Sequence, residues 1–313
     1  MAKVLVTGGA GFIGSHLVQA LLDCGHQVRV LDNLTTGREE NLEGLPVDLR
    51  IGDIQHPAVV TEAVGGIDFV FHLAALVSVA ESMADPLGCY TVNLTGSLNV
   101  LAASAEARVR RVVLASSAAV YGNVEGCIDE STPTRPVSAY GASKLAMEGA
   151  AWLYSSAYGL PTVCLRFFNV YGPRQSPDSP YAAVIPLFVR QMLASQSPTI
   201  DGDGSQTRDF IFVTDAARAF VLAAERGDAA GDVFNIAGGR SISILDVYTS
   251  IRLQLGSSVP ATYGPPRPGD IHTSAADVRQ AEARLGFCPE TGLDEGTRET
   301  IEWFQARENP ARR

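Results

Sequence analysis

A seven-residue run near the start of the chain, Gly8-Gly9-Ala10-Gly11-Phe12-Ile13-Gly14, limits the fold more than any other stretch. It follows Lys3-Val4-Leu5-Val6-Thr7, a short apolar run of buried-strand type. It precedes Leu17, Ala20 and Leu21 at helical spacing, with Gly25 placed to end the helix. Strand, glycine turn and helix in succession is the context in which such a loop binds phosphate. The bare backbone can approach a pyrophosphate, and the helix N-terminus supplies amide donors and a favourable dipole. The spacing is G-x-x-G-x-x-G through Gly8, Gly11 and Gly14, and an ordinary tight turn would not need the flanking elements. The next strand pattern, residues 27–32, ends in an acid, Asp32, about twenty residues beyond the loop. A carboxylate there accepts hydrogen bonds from a ribose 2′-hydroxyl and repels a 2′-phosphate, which favours NAD over NADP.

The alternation continues. Strand patterns at 47–51, 67–73, 110–116 and 161–166 are interleaved with helical patterns at 86–107 and 142–158. This predicts an α/β fold with a doubly wound parallel Rossmann sheet and ligands at the carboxyl ends of its strands. The glycine loop, Asp32, His72 and Ser117 all fall at such ends, His72 reading as a structural strand-end residue. Beyond Arg166 the pattern changes. Residues 168–173 read as a loop and 177–180 are rich in Pro and Ser. Shorter helices follow at 181–194, 214–225, 244–255 and 293–307, with one more strand at 233–237. The expected division is a dinucleotide-binding domain over 1–172, rejoined by a segment near 205–238, and a smaller C-terminal α/β substrate domain over 173–313. A length of 313 residues and 46% hydrophobic content suffice for such a core, and 19% charged residues argue against disorder.

Net charge is −10, without basic runs, which argues against nucleic acid or membrane surfaces as partners. No apolar stretch reaches membrane-spanning length, and the N-terminus carries only Lys3 before the glycine loop. A cytoplasmic protein is expected. The five cysteines form no Cys-x-x-Cys pair, so no metal or redox motif is expected. Cys24 and Cys164 fall in apolar patterns and are expected in the core.

Tyr140 and Lys144 stand four apart at the start of a helical pattern, which places them on one face. A phenol titrates near pH ~10. A neighbouring ammonium favours the phenolate by roughly one to three pKa units, making a usable base near neutrality. The same spacing arises by chance in helices, as an exposed aromatic and a snorkelling lysine. The glycine loop upstream, and Ser117 at the end of the preceding strand, favour the base.

Taken together the motifs are recognisable. They run from the Thr7–Gly14 loop through Asp32-Asn33-Leu34, Gly52-Asp53-Ile54, His72-Leu73-Ala74-Ala75, Ser116-Ser117 and the Tyr140–Lys144 pair to the 166–173 stretch, Arg208-Asp209-Phe210 and Arg267-Pro268-Gly269-Asp270. In this order the chain resembles extended short-chain dehydrogenase/reductases, and within them nucleotide-sugar 4-epimerases. The resemblance implies Tyr140 as catalytic base, Ser117 in the proton relay with the sugar hydroxyl, and Lys144 on the nicotinamide ribose. It implies an NAD site of Gly8, Gly11, Phe12, Ile13 and Gly14, with Asp32, Asn33, Asp53 and Ile54 on the adenosine half. Asn93 lies near the nicotinamide side, and Leu73, Ala74, Ala75 and Phe167 complete the cofactor set. Phe168, Asn169, Val184, Arg208, Arg267, Asp270 and Ser274 join Ser117 as the UDP-sugar site. Planar guanidinium forks suit a diphosphate. A homodimer through helices 86–107 and 139–158 is also implied. The implied reaction removes a proton from the 4-hydroxyl and hydride from C4, lets the keto sugar turn over, and returns hydride to the other face.

Relatives with other chemistry carry groups that this chain lacks. Ala118 and Ala119 stand where sugar 4,6-dehydratases have acids; Ala119 replaces the glutamate of decarboxylating relatives, and Ala118 the cysteine of epimerase-reductases. Plain 4-epimerisation is the simplest reading. Ser274, where a tyrosine would restrict the pocket, and the run 181–186 favour UDP-GlcNAc/UDP-GalNAc, with UDP-Glc/UDP-Gal as a second activity. Glu81-Ser82 resembles the glucose/galactose enzymes, in which Val77 is a lysine. A UDP-glucose-only enzyme, a UDP-glucuronate 4-epimerase and a non-catalytic NAD(H) sensor are the competing readings. Ser274 also reads as the N-cap of a helix over 275–285.

Overall fold

The computed structural model describes residues 1–177, 183–266 and 272–308. In chain order the first half comprises β1 (Lys3–Thr7), α1 (Phe12–Asp23), β2 (Gln27–Asp32), β3 (Asp48–Ile51), α2 (Pro57–Val64), β4 (Phe69–His72), α3 (Val79–Ala84), α4 (Pro86–Tyr90), α5 (Gly96–Glu106), β5 (Arg111–Ser117), β6 (Gly126–Ile128) and α6 (Ala139–Ala157). The second half comprises β7 (Thr162–Phe167), β8 (Asn169–Tyr171), α7 (Val184–Leu193), β9 (Thr199–Asp201), β10 (Thr207–Phe212), α8 (Val213–Glu225), β11 (Val233–Ile236), β12 (Ser241–Ser243), α9 (Ile244–Gln254), β13 (Thr262–Gly264), β14 (Ser274–Ala276), α10 (Arg279–Leu285) and α11 (Leu293–Glu308).

The large sheet has the order β3-β2-β1-β4-β5-β7-β11, and every pairing in it is parallel. This is the doubly wound Rossmann arrangement. Its order reverses between β1 and β4, which opens a crevice at their carboxyl ends. Every residue of β7 is buried, as expected of a strand covered on both faces. On one face Leu17, Val18 and Leu21 of α1 pack with Ala216 and Phe220 of α8. On the other, α2, α5 and α6 contribute Val60, Val100, Leu101, Met147 and Ala151. The chain re-enters this sheet through α8, which packs on α1, and β11, which pairs with β7. A third core, with Phe188, Phe212, Val247 and Phe304, joins α7, α9 and α11 to the small sheet β12-β10-β8.

Local differences from the expected elements have physical causes. The 86–107 helix is interrupted by a π turn at Thr91–Thr95, with the buried Asn93 at its centre. The 168–173 stretch is not all loop, because 169–171 pair with β10. Ser274 is not a helix cap. It starts β14, which pairs with β6, and the helix begins only at Arg279. The amides of Ala276 and Asp277 are taken by Asp209 Oδ2 and Ile128 O, so the backbone there is satisfied as a strand. Cys164 is buried, but Cys24, at the C-terminal end of α1, is exposed.

Candidate active site

At the crevice, the glycine loop folds on itself and against the end of β4. A Cβ on Gly14 would lie 2.1 Å from Gly8 O, and one on Gly8, at φ +73°, 2.7 Å from Ala74 N. Ala74 N in turn approaches Thr7 Oγ1 at 3.3 Å, and Leu73 N donates to Thr7 O. Asp32, buried at the end of β2, accepts from Ala10 N and Leu34 N, both at 2.9 Å, so it braces the loop it follows. Asn33 Nδ2 donates to Asp53 Oδ2 at 2.8 Å. The Ile54 side chain is packed in the core, so tight against Gly96 that a Cβ there would lie 2.6 Å from it. Phe12 and Ile13 open α1, and their side chains pack against the third core. Ala75, next after Ala74, belongs to the loop leaving β4.

His72 lies under this floor in a chain of fixed polarity. Thr7 Oγ1 and His72 Nδ1 are 2.7 Å apart, His72 Nε2 and Ser97 Oγ 2.8 Å, and Ser97 Oγ donates to Asn93 O. Because Ser97 is the donor at its far side, it accepts from His72 Nε2–H, and Nδ1 accepts from Thr7. Burial, with the Lys144 charge adding to it, lowers the His72 pKa to about 3, so the imidazole is a neutral structural link. Asn93 accepts from Leu76 N at 2.8 Å and donates to Leu76 O and Ser143 Oγ, both at 3.0 Å. It thereby ties the loop after β4 to α6.

Ser138 caps α6 through Gly141 N at 3.0 Å, and Ser82 of α3 accepts from Tyr140 N at 3.1 Å. Tyr140 and Lys144 therefore both lie within the helix. Ser117, at the end of β5, is hydrogen-bonded to the Tyr140 phenol and accepts from Ala119 N. Lys144 Nζ is buried and donates to Ala115 O at 2.8 Å. The electrostatics differ from the simple expectation. Burial pushes the Tyr140 phenol up, against the lowering effect of the Ser117 hydrogen bond. Burial also brings Lys144 down to about 8, opposed by Cys164, Cys89 and Glu148.

The sequence reading missed the roles of two polar groups, one of them, Asp209, quoted there only as part of a motif. Glu148, one turn beyond Lys144, is ion-paired with Arg166 at 2.7 Å and accepts from Ser116 Oγ. Arg166 also donates to Tyr121 Oη at 2.9 Å, and Tyr121 to Asn235 Oδ1 at 2.7 Å. The i, i+4 spacing to Lys144 was the available signal for Glu148. The second group is Asp209, fully buried, which accepts from Gly238 N at 2.8 Å and Ala276 N at 3.0 Å.

On the substrate side, strand alternation separates two adjacent aromatics. Phe167 turns into the core and stacks on Phe220 at 5.1 Å. Phe168 turns the other way and packs with Tyr121. Asn169 Nδ2 donates to Asp209 O at 3.1 Å, Arg208 is half-buried beside Asp209, and Val184 opens α7. Ser274, on β14, is brought beside Gly126 of β6. Arg267, Asp270 and residues 181–182 lie outside the described residues.

The profile of the NAD dependent epimerase/dehydratase family matches residues 4–237. The chain belongs to this family. A putative UDP-glucose 4-epimerase of Methanocaldococcus jannaschii is 37% identical over 308 residues, 96% of this chain and 98% of its own. A UDP-N-acetylglucosamine 4-epimerase of Methanobrevibacter ruminantium, solved with UDP-N-acetylmuramic acid, superposes with TM-score 0.94 at 40% identity, covering 98% of this chain and 99% of that one. A UDP-glucose 4-epimerase of Thermus thermophilus, solved with NAD, superposes at 0.88 and 37%, covering 97% and 99%.

NAD is the cofactor of the family, and this chain fits it. The cradle of Gly8, Gly11 and Gly14 is closed to side chains, and α1 begins without a side-chain cap or an acid in its first turn, leaving its amides for an anion. Among the described residues no group of His, Cys, Asp or Glu is arranged to hold a metal ion, and no helix is long and apolar enough to cross a membrane.

Proposed function

We propose that this chain is an NAD-dependent 4-epimerase of UDP-sugars, with UDP-GlcNAc and UDP-GalNAc as its leading pair and UDP-Glc/UDP-Gal as a second. The observation that carries the reading is the Ser117–Tyr140–Lys144 group, set at the end of β5 with Ala118 and Ala119, not acids, on the adjoining turn. Tyr140 takes the proton of the 4-hydroxyl and returns it. Ser117 passes that proton between sugar and phenol. Lys144 positions the cofactor ribose and adds positive charge behind the phenol. NAD, when bound, accepts and returns the hydride of C4. Asp32, Asn33, Asp53, Leu73–Ala75 and Asn93 are the remaining cofactor contacts assigned from the motifs.

For substrate, Phe168, Asn169, Arg208 and Ser274 stand on the elements gathered by Asp209. Strong contacts to a diphosphate there, with the sugar left free to turn, suit an epimerase. The small Ser274 supports a pocket open to a 2-acetamido group. Incubation of the purified protein with UDP-GlcNAc, without added NAD, should produce UDP-GalNAc anomeric signals by NMR. Silence with UDP-GlcNAc but turnover of UDP-Glc or UDP-glucuronate would replace the sugar assignment, and silence with all three would favour the NAD(H) sensor.

A homodimer through α4–α6 is supported by exposed apolar residues on these neighbouring helices, Leu87 at 81% and Trp152 at 61%, with Leu98 and Leu153 also open. Trp152→Glu should give a monomer by sedimentation, and an unchanged mass would remove this face as the interface.

A further inference from the structure

We propose that Arg174 is a cofactor-binding residue whose guanidinium supplies counter-charge to the diphosphate of the dinucleotide. The inference rests on the NAD site described above and not on which sugar is bound.

Arg174 follows β8 in the turn Gly172-Pro173-Arg174-Gln175 and has φ +69°, a left-handed conformation that costs an arginine about 1 kcal/mol or more. Among the described residues its buried Nη1 has no hydrogen-bond partner, and burial pulls its pKa down. Arg111 offers a contrast: it also has one buried nitrogen without a partner, but the rest of its guanidinium is bonded to the carbonyls of Ala223, Arg226 and Gly227. Among the described residues Arg174 is a strained, partly buried cation with no carboxylate paired to it.

Its place indicates which anion. Pro173 O is 3.0 Å from His16 Nε2, and His16 stands one turn beyond Phe12, the first residue of α1. Burial lowers the His16 pKa to about 4, with the Arg174 charge adding to the effect. A neutral His16 donating to Pro173 O therefore fastens the Arg174 turn to the first turns of the glycine-loop helix. That helix end is itself positive and carries no acid. The Arg174 turn and the positive end of α1 are thus fastened together through His16, an arrangement that suits a bound diphosphate. The sugar-nucleotide side is elsewhere. β8 and β10 are parallel, with Asn169 beside Phe210 and Tyr171 beside Phe212. Arg208 thus lies before one end of this pair and Arg174 beyond the other, more than about 13 Å apart along the strands at ~3.3 Å per residue.

The test is exchange of bound NAD for isotopically labelled NAD in the purified holoenzyme, read by mass spectrometry without sugar. Arg174→Met and Arg174→Gly should release NAD about ten-fold to a hundred-fold faster, as loss of a charged hydrogen bond implies. UDP affinity of the loaded protein should not change. Glycine suits this backbone, so Arg174→Gly should unfold at a temperature no lower than wild type once both are stripped of NAD. Unchanged exchange would overturn the proposal. So would a loss of UDP affinity with normal exchange, which would assign Arg174 to the substrate diphosphate. Failure of Arg174→Gly to fold would make the residue structural and overturn it equally. Exchange does not depend on turnover, so a failed epimerase assay would leave this result standing.

Discussion

Glu148 and Asp209 are both buried carboxylates, one on each flank of the active site, and they are neutralised differently. Glu148 has a cation: Arg166 pairs with it through two nitrogens, and Ser116 adds a third hydrogen bond. Asp209 has backbone amides, from Gly238 and Ala276 above all. The Glu148 carboxylate holds the Arg166 guanidinium charged despite its burial. Burial wins at Asp209, whose pKa is pushed up to about 6 against those amides. The first flank is charge-locked around the helix that carries Tyr140 and Lys144. The second gathers separate segments onto one acid that titrates near neutrality. The flank that carries Tyr140 and Lys144 is stiff, and the flank proposed to receive the nucleotide is held by a contact that pH can loosen.

The most drastic way to probe the stiff flank is chemical. Tyr140→Phe should cut turnover by about 10²–10⁴-fold or more while NAD is retained, measured by NMR rates and cofactor content. Unchanged turnover would sink the assignment of the base. Next comes Glu148→Ala, which strands the Arg166 guanidinium in the core. A loss of about 3–5 kcal/mol in urea unfolding is expected, and under ~1 kcal/mol would show that the pair is not the lock described. Asp209→Asn should be milder, about 1–3 kcal/mol, since the amide can accept from one backbone N–H but presents its own N–H to the other.

That last pair of proteins also tests the pH argument. An acid whose folded pKa is raised stabilises the fold while protonated. For Asp209 this contribution is complete below the unfolded value of ~4. It is lost as pH rises through about 6. Wild type should therefore lose stability relative to Asp209→Asn between these limits and run parallel to it above them. A flat difference across the window would mean that Asp209 is ionised throughout, making the two flanks alike.

The two flanks also differ in how far their sequence discloses them. Gly8 to Gly14 and Asp32 were legible because strand, loop, helix and strand follow one another, each with its own periodicity. Tyr140 and Lys144 were legible because helical spacing puts them on one face. Glu148 continues that spacing but signals nothing until Arg166 is brought opposite it from another strand. The Asp209 hub was not visible at all, since its donors lie at 238 and 276. The helix expected over 275–285 gave way at its start because β6 and Asp209 supply strand-type partners for those amides. The sequence also does not show that the neighbours Phe167 and Phe168 join different clusters, Phe167 stacking on Phe220 and Phe168 packing with Tyr121.

By itself, then, the sequence determined the periodic elements, the parallel sheet, the dinucleotide loop and the shared helix face of Tyr140 and Lys144, because all of these are written in short-range spacing. The tertiary structure alone decided the hydrogen bond that brings Ser117 to Tyr140, the pairing of Glu148 with Arg166, the gathering of β6, β8, β10 and β14 around Asp209, and the strained, half-buried setting of Arg174. Burial and long-range contact set those properties, and neither has a local period in the chain.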